Sequence, residues 1–285
     1  MQASRFIALI LLFLSFNACE DLTKDNFVNS DESDCQACDA ISEIELWEIG
    51  SIHGAVLSGT LEDVDLNYCV NCAEDFVAAF KNYDFAQIGI RSNGIDTDSL
   101  SLEYNTKIRT FDHNLDSFLL SLEVSGKARE YLRLGFDKTN LDLDVSVVVA
   151  SLKTLSIQAD KELRGIDRLT VLGTLTVLSD SYEFWAPSYK GGSGLGWNYI
   201  SQLSESKLGS QMSKSCSATD VGWTVFADGA SAATGFLGLG IGMATASLAA
   251  ASIATGGAAV VAGVSIVAGS ALASGLELLI RCNQE

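Results

Sequence analysis

Residues 228 to 281 read DGASAATGFLGLGIGMATASLAAASIATGGAAVVAGVSIVAGSALASGLELLIR, and this stretch decides the fold. No charged residue lies between Asp228 and Glu277, an interval of 277 − 228 − 1 = 48 positions. Two apolar blocks, at about 231–254 and 258–280, flank Thr255-Gly256-Gly257. Each block exceeds the ~20 helical residues that cross a bilayer, and a Gly-Gly pair is a natural helix stop. The stretch therefore predicts a helical hairpin that either spans a membrane or is buried among helices of the same chain.

The hairpin is rich in glycine and alanine rather than leucine, and small residues recur at spacings that place them on one helix face. Small residues in such rows let two helix backbones approach closely. Such close packing can occur between helices in lipid, between copies of the chain, or within a helix pair of a soluble bundle. The predicted helix-packing positions are Gly238, Gly242, Ala246, Ala250, Gly263 and Gly269.

The first residues predict export rather than a folded element. Arg5 precedes an apolar run at 6–16, which is too short to span a membrane, and Asn17-Ala18-Cys19 follows it. A small residue before a cysteine at this place resembles a bacterial lipoprotein signal. That resemblance implies a signal peptide at 1–18, lipidation of Cys19, a polar tether at 19–34, and a lipid-anchored protein of the bacterial cell envelope (outer membrane or surface). An ordinary signal peptide without lipidation is the alternative.

Six further cysteines are an even number, as a disulfide framework in an exported protein requires. The first four form two CxxC pairs, and the last two flank the hairpin, where a bridge would close its base. Zinc binding by the CxxC pairs is the alternative to disulfides, and spacing does not choose among the pairings. The disulfide candidates are Cys35, Cys38, Cys69, Cys72, Cys216 and Cys282.

Composition upstream of the hairpin predicts an acidic, helix-rich domain. The net charge of the chain is −18, which disfavours nucleic acid as a partner, and Pro187 is the single proline. Helical spacing of apolar residues recurs at about 41–61, 69–83, 112–135 and 164–185. The segment 141–159 is rich in β-branched residues, but its length favours a helix, and 85–104 shows a weak β-hairpin pattern. We predict a mainly α protein, with a helical domain at 35–200 and a glycine-zipper hairpin at 216–282.

No reaction is predicted from the sequence. The chain has two histidines, His53 and His113, and spacing pairs neither with a nucleophile or a carboxylate. Asp228 is expected to cap the hairpin's first helix, with a functional carboxylate as the alternative. The sequence therefore predicts no catalytic residue, no metal site, no cofactor and no enzymatic activity.

Three short motifs, Ile49-Gly50-x-x-His53, Ser181-Tyr182-x-x-Trp185 and Ala227-Asp228-Gly229-Ala230, look like those of a group of uncharacterised exported bacterial proteins. The tail separately resembles the glycine zippers of two-peptide bacteriocins and the hydrophobic hairpin of pore-forming colicins. The colicin resemblance implies a hairpin sheathed by amphipathic helices, a role that residues 110–186 suit. The implied function is a lipoprotein whose hairpin inserts into a membrane or oligomerises, with membrane lipid or a second copy as partner. The alternative is an envelope scaffold or binding lipoprotein whose hairpin is buried in its own helical core.

Overall fold

The protein is described here by a computed structural model that covers residues 35–65, 71–85, 114–139, 143–205, 218–246 and 257–282. Within these ranges all regular secondary structure is helical, which confirms the mainly α prediction and the C-terminal helical hairpin. The predicted signal peptide, Cys19 and the tether lie outside the described residues, as do His113 and nearly all of the predicted β-hairpin.

The helices fall into three groups along the chain. The N-terminal group is α1 (Gln36–Asp39), α2 (Glu43–Gly50), α3 (His53–Glu62) and α4 (Cys72–Asn82). The middle group is α5 (Leu115–Ser121), α6 (Gly126–Lys138), α7 (Val145–Glu162), α8 (Gly165–Trp185) and α9 (Leu195–Glu205). The hairpin consists of α10 (Ala218–Ala246) and α11 (Gly257–Cys282).

Local chemistry explains several of these boundaries. Ser42 and Glu45 form a capping box at the start of α2, since each side chain accepts from the other's backbone N–H. The Ser125 hydroxyl caps α6 by accepting from the Ala128 N–H at 3.1 Å. Most of the ambiguous segment 141–159 belongs to α7, as its length indicated. Its buried apolar residues follow helical spacing, at Val145, Val148, Leu152, Leu155 and Ala159.

Two sequence-based boundaries differ from the structure. The helical pattern at 41–61 is divided into α2 and α3 by a short turn at Ser51-Ile52, and 112–135 is likewise divided into α5 and α6. The first uncharged block begins near residue 231, but the first hairpin helix begins at Ala218, close to the predicted start of the hairpin at residue 216. Its first three turns carry Asp220 and Asp228, and these charges exclude the start of the helix from the uncharged block.

Helix α8 forms the centre of the molecule and is buried on nearly every face. It packs against α10 on one side and against α7, α2 and α6 on others. The hairpin helices α10 and α11 pack along each other, and α11 is covered by α2, α3 and α4. One continuous apolar core therefore runs from the N-terminal helices into the hairpin.

Both hairpin helices are long and apolar enough to cross a membrane. The candidate spans are Asp220–Ile241, with 72% of its most apolar window buried in the protein, and Ala262–Cys282, with 83% buried. Length and composition alone are weak indications of a membrane span, because the core helix of a soluble protein passes the same test.

Candidate functional site

A histidine lies in the core where α3, α8 and α10 meet. His53 is the first residue of α3 and is completely buried, with 0% of its surface exposed. Gly50 ends α2 directly against α8, where an added Cβ would lie 2.6 Å from Thr176 Cβ. Because of this close approach, the turn that follows α2 places the imidazole between the two larger helices.

The hairpin supplies the first partner of this histidine. His53 Nε2 lies 2.7 Å from Asp228 Oδ1, and the Asp228 side chain is also 0% exposed. The other carboxylate oxygen accepts a hydrogen bond from the Ser181 hydroxyl of α8. Asp228 lies ten residues inside α10, since 228 − 218 = 10, so the prediction that it caps this helix is wrong. A side chain in mid-helix cannot reach the unpaired N–H groups of the helix start.

Helix α8 supplies a second carboxylate on the opposite side of the ring. His53 Nδ1 lies 3.5 Å from Asp180 Oδ2, an ion-pair distance longer than a hydrogen bond. The same oxygen accepts the Gly54 backbone N–H at 2.6 Å. The Asp180 side chain is 22% exposed, so the bridge of Asp180, His53 and Asp228 reaches solvent at the Asp180 end.

The two carboxylates determine the charge of the imidazole. Burial alone would lower the pKa of His53, but the charge and hydrogen bond of Asp228 and the nearby carboxylate of Asp180 outweigh burial and raise this pKa from 6.5 to about 9. His53 is therefore an imidazolium at neutral pH. Ser181 donates to Asp228 rather than to the imidazole, so these residues do not form the nucleophile-to-base hydrogen bond of a hydrolase. The geometry is that of a buried ion bridge between helices.

The bridge joins three of the sequence motifs quoted above. It takes His53 from the first motif, Ser181 from the second and Asp228 from the third. Glycine at position 229 of the third motif lies against α8 and α6, since an added Cβ would be 2.5 Å from Leu178 Cδ2 and 2.6 Å from Phe136 Cε1. The motifs are far apart in sequence and form one layer of the core.

Among the disulfide candidates, one pair is formed within the described residues. Cys35 and Cys38 are bonded, with their Cα atoms 5.3 Å apart, and both are buried against the backbone of α10 at Gly240. Cys72 and Cys282 each also take part in a disulfide, but not with each other. Cys69 and Cys216 lie outside the described residues, so the predicted closure of the hairpin base by Cys216 and Cys282 stays a prediction. Within the described ranges, no cluster of three or more His, Cys, Asp or Glu side chains could hold a metal ion.

The predicted helix-packing residues are distributed over several environments. Gly263 and Gly269 are buried in α11, and Gly238 is half-buried in α10. Gly242 and Ala246 belong to α10, but their side-chain surroundings lie outside the description, as does Ala250 altogether.

Other glycines make the closest contacts, and the four-residue spacing did not identify them. An added Cβ would approach Ile266 of α11 from Gly235, and Ile166 of α8 from Gly240. From Gly275 it would meet the ring of Phe76 on α4. Only the contact between Gly235 and Ile266 joins the two hairpin helices. The other two glycines instead allow α8 and α4 to pack closely against the hairpin.

The base of the hairpin carries a second group of charges. Arg281 of α11 bonds to Glu277 one turn earlier, lies 4.0 Å from Asp220 of α10, and stacks 5.2 Å from the centroid of the Trp223 ring. These contacts tie the end of α11 to the start of α10. No protein family matches the chain, and comparisons with curated proteins and with solved structures likewise give no match.

Proposed function

We propose that the protein is an exported, lipid-anchored envelope protein whose hairpin forms the core of its own helical domain, which acts as a scaffold or binding module. The observation that carries this proposal is the pairing of Asp228 in the hairpin with His53, both at 0% exposure. A carboxylate in an apolar helix is costly unless it has a partner. Here the partner comes from the same chain, which supports a hairpin that packs within its own domain. The proposed role is not enzymatic.

The glycine contacts support the same proposal. The faces of α11 around Gly263 and Gly275 receive side chains of α2 and α4, so these faces are occupied within one molecule. Rows of small residues that served lipid contacts or a second copy would instead face outward. The sequence supports export and lipid attachment through the apolar run at 6–16 and Cys19.

Phase partitioning in detergent tests this proposal. The Cys19→Ala variant removes the lipid attachment site and leaves the hairpin unchanged. We expect wild-type protein in the detergent phase and the variant in the aqueous phase, where size-exclusion chromatography without detergent should show a monomer. Recovery of the variant in the detergent phase would show that the hairpin itself binds the membrane.

Membrane insertion of the hairpin is the second candidate function, and one observation favours it. Towards the closed end of the hairpin, Gly238 and Met243 of α10 and Ala262 and Ile266 of α11 are only half-buried. This end carries no charge in sequence. Half-buried apolar helix ends are suited to entering lipid first.

Dye release from liposomes tests insertion at neutral and acidic pH. Asp228→Asn removes the ion pair with His53 that holds α10 in the core, so insertion predicts faster release by this variant than by wild type. Ser181→Ala is a matched control, because it weakens the same layer and keeps the charge. Absence of release by all three proteins at both pH values would exclude the insertion function.

A further inference from the structure

The buried bridge has a carboxylate on each side of the His53 ring. Both nitrogens of the His53 ring face carboxylate oxygens, Asp228 Oδ1 at 2.7 Å and Asp180 Oδ2 at 3.5 Å. A neutral imidazole has one N–H and one lone pair. Without the second proton, a ring lone pair would therefore face an ionised carboxylate inside the core. The arrangement is complementary to the imidazolium and to no neutral tautomer.

We infer that the bridge is a protonation-dependent latch: imidazolium at His53 holds α10 of the hairpin to α3 and α8, and loss of its proton loosens α10 and α3. The bridge joins residues 175 positions apart, and its other end is on the central helix. The latch concerns the packed state of the hairpin, so it is independent of which proposed function is correct. The raised pKa of His53, about 9, agrees with this assignment.

The surroundings of His53 contain no competing charge in the described part of the chain. Asp228 of α10 and Asp180 of α8 are the charged groups that act on the ring. Helix α11 also packs on α3, but its Glu277 bonds to Arg281. From α9, the Tyr199 hydroxyl donates to the backbone carbonyl of Ser58. On α4, which packs on α3 as well, the acidic residues Glu74 and Asp75 and the basic residue Lys81 are exposed to solvent.

Proton exchange has a route through the exposed end of the bridge. Asp180 is 22% exposed and touches both the ring and the Gly54 N–H. An added Cβ at Gly54 would lie 3.1 Å from Asp180 Oδ2, so glycine leaves room for this carboxylate beside α3. The latch can thus respond to bulk pH although the ring itself is buried.

Histidine NMR and hydrogen exchange on the full chain test the latch. The chain has two histidines, so a sample labelled at histidine gives two ring Cε1–H signals, and His53→Gln identifies which belongs to His53. We expect the His53 signal to titrate near pH 9. In Asp180→Asn, which removes only the more exposed carboxylate, the titration midpoint should fall by at least one pH unit.

Exchange of backbone amides must follow the same titration. After correction for intrinsic base catalysis, protection in α3 and α10 should fall at least tenfold from pH 7 to pH 10, while protection in α6 stays constant. In His53→Gln this protection should be lower at pH 7 and should no longer depend on pH. A His53 midpoint near 6.5, or protection of α3 and α10 that stays constant through pH 10 in wild type, would overturn the inference. If the glutamine variant does not fold, His113→Gln assigns the two histidine signals instead, and the wild-type NMR and exchange data still decide the question.

Discussion

Gly275 offers the most direct test of whether the hairpin is packed inside its own chain. This glycine faces the ring of Phe76 on α4, which is completely buried. A Cβ at position 275 would lie 2.5 Å from Cε1 and 2.8 Å from Cε2 of that ring, and closer still to Cζ. Real Cβ atoms essentially never approach other heavy atoms to less than 3.0 Å. Gly275→Ala therefore requires the ring or the helix to move.

The magnitude follows from two opposing effects. Overpacking a core by one methyl group costs about 1–3 kcal/mol. Alanine is favoured over glycine in a helix interior by about 1 kcal/mol. Because the contacts with Phe76 are far shorter than 3.0 Å, we take the upper part of the overpacking range, about 2–3 kcal/mol. The expected net loss is then about 1–2 kcal/mol, which for a chain of this size lowers Tm by roughly 2–8 °C.

Thermal and urea unfolding of the lipid-free Cys19→Ala protein, followed by circular dichroism, measures this loss. Gly126→Ala in α6 is the matched control, since nothing lies within 4 Å of a Cβ at that position. The control should leave stability unchanged or raise it. Phe76→Leu combined with Gly275→Ala should cost at least about 1 kcal/mol less than the sum of the single changes, because the shorter side chain makes room.

The reasoning is refuted if Gly275→Ala behaves like Gly126→Ala. Phe76 would then not occupy the face of α11, and α4 would not cover the hairpin. The glycines of α11 would be free for lipid or for a second copy, and the scaffold proposal would lose its packing support.

Three further outcomes are expected. Because the pKa of His53 is raised to about 9, the stability that its proton contributes is complete below pH 6.5 and is lost as pH rises through 9. Urea unfolding should show that the free energy of unfolding falls by about 3 kcal/mol from pH 6 to pH 10, and His53→Gln should lack this fall. Arg168, 7% exposed, donates to two carbonyls of the α1–α2 segment, so Arg168→Met should cost about 2–3 kcal/mol in the same assay. Ser125→Ala removes the cap of α6 and should cost about 1 kcal/mol in thermal unfolding.

The elements of this fold follow from local sequence patterns, whereas their boundaries follow less well. Apolar spacing identified α4, α7 and α8 because each buries one or more faces in a regular helical period. The uncharged apolar block begins later than α10 itself because Asp220 and Asp228 interrupt the apolar pattern of this helix. Both charges are satisfied by tertiary contacts, with Arg281 and with His53, which no local pattern reveals.

The candidate site could not be assembled from the sequence for a similar reason. Glycine spacing identified which helices would pack closely, but it did not identify which neighbouring side chain lies against each glycine. Similarly, His53 and Asp228 are 175 positions apart, and their pairing depends on how α3 and α10 are placed around α8. The motif residues were noticed individually, but the structure shows that they belong to one layer.

Asp228 is also the point at which the two proposed functions differ physically. If α10 crossed a bilayer as the span Asp220–Ile241, this carboxylate would enter the membrane at a cost of about 2.5–3.5 kcal/mol near its centre. His53 would lose its partner in the core, and breaking a buried ion pair costs about 3–5 kcal/mol. Insertion that begins at the closed end avoids both costs. Residues 229–246 form 18 residues of helix, or about 27 Å at 1.5 Å per residue, close to the ~30 Å of a hydrocarbon core. Membrane entry, if the hairpin performs it, would therefore stop where Asp228 remains bound to His53.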